Sequence, residues 1–246
     1  MFGRRETAAL LRKELGQVRR SRGALISAGL LSLLMIVVVP GLQLTAILAS
    51  GRQALPSVPL PGLARLDEPR QLFVQLMLPA FVALAGVMVP SIAAVHTIVV
   101  ERERRTIELL VALPVRVGDI LLAKLLANLA LAVATLGPLV FVDMAALAWL
   151  GFVSPAYVVS VCLLLVAALG CSVGMSLLVA LLARDFRTAN NLNGILLGPT
   201  IGLVLAVLIL VPADVHLSVL AGLLLAIGVG AVAGGLRWLT FERYLA

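Results

Sequence analysis

The chain has 246 residues, is 62% hydrophobic and 13% charged, and carries a formal charge of +7. That composition excludes a water-soluble globular domain and describes a polytopic membrane protein. The basic excess does not point to nucleic acid, because the Lys and Arg lie between long apolar runs.

Residues 1–23 carry Arg4, Arg5, Arg12, Lys13, Arg19, Arg20 and Arg22, with Ala8, Leu11, Leu15 and Val18 at helical spacing. The pattern predicts an amphipathic helix that lies on an anionic membrane surface. The following apolar run, about 27 residues, exceeds the roughly 7–15 of a secretory signal. It reads as an uncleaved first span, about 24–50, with Pro40 toward its outer half. Residues 51–71 form a mixed loop in which Pro56, Pro59 and Pro61 preclude a long helix. Span two is expected over 72–100, with kinks at Pro79 and Pro90 and with His96 near its end as either an ordinary interfacial histidine or a sensor.

Residues 101–124 are the longest charged segment. They open with Glu101, Arg102, Glu103, Arg104 and Arg105. Thr106 can cap a new turn, and Glu108 falls near its N-terminus, where negative charge is favourable. Ile107, Leu109, Leu110, Ala112 and Leu113 supply an apolar patch that Pro114 ends. A short amphipathic helix over 106–113 suits docking of a partner; equally, the segment reads as a loop that anchors topology by charge.

Span three is expected over 125–149. It contains Asn128, placed for a hydrogen bond between helices, and Asp143, the one acidic residue well inside a predicted span. Asp143 either faces the bundle or a pathway, or the span ends near Val142 and Asp143 lies at the outer interface. Trp149 and Tyr157 flank a short turn as interfacial aromatics. Span four, about 156–183, carries Gly170, Ser172, Gly174 and Ser176 as a packing face. Its two cysteines, Cys162 and Cys171, are separated by roughly 13 Å of helical rise and cannot bridge. Residues 184–191 form a polar hinge, followed by span five over 192–211, a tight turn over 212–216, span six over 217–236 and a tail.

Sixteen of the 19 Lys and Arg fall on the N-terminal side of this layout; Arg52, Arg65 and Arg70 fall on the other. The positive-inside rule then places both termini and residues 101–124 in the cytoplasm. No catalytic or metal-binding motif is present. Residues 118–125 faintly outline a P-loop without its second Gly or its Ser/Thr, and His96 and His216 are too few for a metalloenzyme. Such a chain moves something, and active movement draws its energy from another chain.

The run Glu101-Arg102-Glu103-Arg104-Arg105-Thr106-Ile107-Glu108-Leu109-Leu110-Val111-Ala112-Leu113-Pro114, followed by Ala123-Lys124, resembles the cytoplasmic signature of ABC-2-type transporter permeases. Arg105 and Ala123 stand where that signature usually has Gly. The amphipathic start, with Lys13-Glu14-Leu15, resembles the helix preceding the first span of the same family. The resemblance implies an all-α permease domain over 1–246, with six transmembrane helices, an N-terminal interface helix and a cytoplasmic coupling helix between spans two and three. It implies a plasma-membrane exporter that pairs with a second permease copy or a related permease, and with separate ATPase subunits that carry ATP and Mg. Residues 106–113 would dock on the ATPase, with Glu101, Glu103, Arg104 and Glu108 fixing orientation. The alternative is an ATP-independent secondary transporter or channel-like protein, for which internal repeats and more intramembrane charges are expected. Neither reading identifies the cargo.

Overall fold

A computed structural model describes residues 12, 13, 16, 22–49, 69–94, 117–183 and 185–238. Arg12, Lys13 and Gly16 are helical and exposed. The rest of the expected amphipathic start, the loop over 51–68, His96, the whole of residues 101–116 and the tail beyond 238 lie outside the described residues.

In hydrocarbon each backbone N–H and C=O needs an internal partner, so long apolar runs fold as helices. Six described helices are long and apolar enough to cross a membrane: Leu25–Ile47, Pro69–Ala94, Ala123–Trp149, Pro155–Leu182, Arg187–Leu210 and His216–Gly235. These are spans one to six below. No strand occurs among the described residues. The expected all-α fold with six spans is therefore observed.

Several boundaries differ from expectation. The described part of span two already includes Pro69, three residues before the expected residue 72. The helix of span three already includes Val117, so residues 117–124 are helical and not loop. This helix has 33 residues, about 50 Å at 1.5 Å per residue, and so extends beyond the hydrocarbon. The hinge before span five is short. Asp185 caps a helix that starts at Phe186, so Thr188, Asn190 and Asn191 belong to its first turns.

Asp185 accepts from the Thr188 N–H at 2.7 Å and from the Thr188 hydroxyl at 3.0 Å. These bonds, the backbone one foremost, hold its carboxyl below the usual carboxylate range. A depressed folded-state pKa adds stability above the unfolded value, and that stability is lost as pH falls through the folded value. Asp185→Ala should lower the melting temperature at pH 7. The gap between the variant and the parent should close on acidification, as read by thermal unfolding in detergent.

Spans one and two each contain one widened turn, at Leu34–Val38 and Phe73–Met77. Each closes two residues before a proline, Pro40 and Pro79. A proline ring inside a regular helix clashes with the carbonyl four residues back, and an i→i−5 turn relieves that contact. The expected irregularity at Pro79 therefore takes the form of a π turn, while Pro90 lies within the continuous helix Leu78–Ala94.

Span four is the hub. Its residues Val161, Leu164, Ala167, Ala168 and Cys171 are fully buried. It packs most extensively on span six, then on span two. A Cβ at Gly174 would lie 2.5 Å from the Gly228 carbonyl oxygen, and one at Gly228 would lie 2.7 Å from that of Gly170. Those two backbones touch directly, as small residues permit. Toward span two, the Ser91 and Ser172 hydroxyls pair at 3.0 Å inside the core, so neither is left unsatisfied in an apolar setting.

Candidate functional site

Two regions carry the polar chemistry, one at each end of the bundle. At the first end, the helices of spans two and three flank residues 95–116. The predicted contact residues Glu101, Glu103, Arg104, Thr106, Ile107, Glu108, Leu109, Leu110, Leu113 and Pro114 lie in that stretch, outside the described residues. What frames them is described. Ala94 at the end of span two packs with Leu125 of span three, and with Leu177 and Ala180 near the end of span four. Both flanks of the segment are thus tied to the hub helix.

Lys124 and Asn128, one helical turn apart on span three, are 3% and 2% exposed. The sequence marks Lys124 as a loop cation opening the next span, yet its side chain is buried and engaged. The earlier helix start explains this, because it carries Lys124 inside the bundle. Asn128 is likewise buried inside the bundle.

Asp143 lies within span three. The helix itself continues past it to Trp149. Six further residues place Asp143 about 9 Å along the axis from Trp149. The carboxylate is half-buried, and its Oδ2 has no hydrogen-bond partner among the described residues. Trp149, at 88% exposed, has the position of an interfacial aromatic.

The opposite end holds a constellation that the sequence does not announce. The Arg70 Nη2 donates to the Gly151 carbonyl at 2.7 Å, and the guanidinium lies 4.2 Å over the centroid of the Phe152 ring. Gly151 has φ +69°, a conformation that glycine adopts without strain, and this makes the tight turn possible. Ser154 then accepts from the Tyr157 N–H at 3.3 Å and caps span four, with Pro155 at its first position.

Tyr157 has a second role. In the widened turn the Leu78 N–H bonds to the Phe73 carbonyl, and Pro79 has no N–H. The Val74 carbonyl is thereby left without a helical donor of either kind, and the Tyr157 hydroxyl donates to it. Tyr157→Phe should cost about 1–3 kcal/mol, since it strands a buried carbonyl. Thermal unfolding of the purified variant checks this; an unchanged midpoint would show that another donor serves Val74. His216, at the start of span six, is 2% exposed and lies against the backbone of Gln75, Ala213 and Pro212. Neither ring nitrogen completes a hydrogen bond of normal geometry.

Six helices long and apolar enough to cross a membrane define a polytopic membrane protein. The family profile described as ABC-2 family transporter protein matches residues 18–236, and the chain belongs to that family. No curated protein matches the chain significantly. It is a membrane subunit of an ABC transporter; subunits of this family are not themselves catalytic and generally work with an ATPase partner.

Proposed function

We propose that the chain is an export permease of the plasma membrane with both termini in the cytoplasm. Residues 106–113 serve as the coupling helix for a separate ATPase subunit. The observation that carries this reading is the charged segment 101–116 between the helices of spans two and three, in a chain matched to the family over 18–236. The placement of 16 of the 19 basic residues on one side supports the orientation. Two six-span subunits, identical or related, would face one another to form the pathway, and ATP with Mg would be held by the partner chains.

Mechanically, ATP-driven closure of the ATPases would displace the coupling helix. Spans two and three flank it and are tied to span four through Ala94, Leu125, Leu177 and Ala180, so the displacement would pass into the hub helix. Topology gives the first test. A lone cysteine at Arg104, in a Cys162→Ser, Cys171→Ala background, should resist a membrane-impermeant maleimide in intact cells and react in inverted vesicles. Labelling from outside would overturn the orientation and the coupling role with it. A chain that transports on an ion gradient with no ATPase present would support the secondary-transporter reading instead.

A further inference from the structure

We propose that the cavity at the Arg70 end of the bundle binds a phosphate group, carried either by a lipid headgroup or by a free anion, with the Arg70 guanidinium as its clamp. The cavity has a volume of about 320 Å³ and is lined by Arg70, Gln71, Val74, Gln75 and Phe152. Arg70 is one of three basic residues assigned to this side of the chain.

The guanidinium is oriented before any ligand arrives. One N–H is committed to the Gly151 carbonyl, and one face is covered by Phe152. Both partners are neutral groups. Among the described residues Gly151 is the one hydrogen-bond partner of Arg70. A guanidinium has five N–H donors, and its planar fork matches two oxygens of a phosphate. The Gln71 and Gln75 side chains line the same cavity and can add neutral donors.

The charged side chain in the described lining is a cation, Arg70, and the lining beside it is amide and apolar. The level also fits. Trp149 and the turn after it mark this end as interfacial, the depth at which headgroup phosphates lie. Phosphate binding here requires no ATPase.

The full-length protein in neutral detergent is titrated separately with short-chain phosphatidylglycerol, with inorganic phosphate and with diacylglycerol of the same chain length. The readout is the unfolding midpoint. Phosphatidylglycerol, phosphate or both should raise it saturably, and diacylglycerol should not. A response to phosphatidylglycerol alone assigns a lipid headgroup; a response to phosphate as well assigns a free anion.

Arg70→Gln should abolish the response. Arg70→Lys, which keeps the charge but loses the fork, should weaken half-saturation about tenfold. Should loss of the Gly151 contact unfold Arg70→Gln, Gln71→Leu tests the same wall; it should weaken half-saturation while leaving the ligand-free midpoint in place. No response to either phosphate compound, an equal response to diacylglycerol, or responses undiminished in every folded variant would overturn the site.

Discussion

Leu109→Asp should abolish co-purification with the ATPase subunit and cut stimulated ATP hydrolysis at least about tenfold, the scale of losing one buried anchor at a protein interface. Leu109 stands at the centre of the apolar run Ile107, Leu109, Leu110 and Leu113. A carboxylate placed there must either stay hydrated, holding the two surfaces apart, or be buried without a partner, which costs several kcal/mol. The substitution lies outside the membrane spans, so the unfolding midpoint of the isolated permease should not move. Leu109→Met keeps volume and polarity and should retain the complex. Glu108→Arg places a cation in the first turn of the predicted helix, where the dipole disfavours it, and should also weaken coupling. Complex formation and hydrolysis that survive Leu109→Asp would remove residues 106–113 from the interface.

Gly228→Leu should be the most damaging single change within the membrane. A Cβ at this position meets the Gly170 backbone at 2.7–2.8 Å and the Cys171 Cα at 2.9 Å. Backbone cannot rotate away as a flexible side chain can, so spans four and six must separate. Overpacking alone costs about 1–3 kcal/mol, and the separation also loosens the most extensive helix contact in the molecule. A fall of about 5–10 °C in the unfolding midpoint is expected, at roughly 2–4 °C per kcal/mol for a chain of this size. Gly230→Ala, only one half-turn away on span six, would meet nothing within 4 Å, and should leave the midpoint unchanged or slightly raised. Equal effects of the two substitutions would show that spans four and six are not in backbone contact.

The six spans were legible in the sequence because hydropathy alone fixes them once the solvent is lipid. The packing role of Gly170 and Gly174 was also legible, since small residues in an apolar run have few other uses there. Their partner was not: nothing local in Gly228 says that it will face Gly170. The start of the third helix was misplaced because Gly118 and Asp119 read as loop residues, whereas residues 117–124 are helical. That error carried Lys124 from the bundle into the loop. The cluster of Arg70, Phe152, Tyr157 and His216 was hidden for a related reason. Its members are far apart in sequence and are brought together by the ends of spans two, four and six. The Tyr157 bond in particular answers a vacancy created by Pro79 in another helix, and no window of sequence contains both.

The two widened turns have a rotational consequence. A π turn accommodates one residue more than a regular turn, and one residue corresponds to about 100° around a helix. The segment Pro69–Leu72 is therefore phased differently from Leu78–Ala94, although both lie on one rod. Removing a single residue from Phe73–Met77 would leave the rod unbroken but swing Arg70 around its circumference, away from Gly151. The azimuth of that arginine is thus written in the residue count between it and Pro79, independently of which amino acids fill the interval.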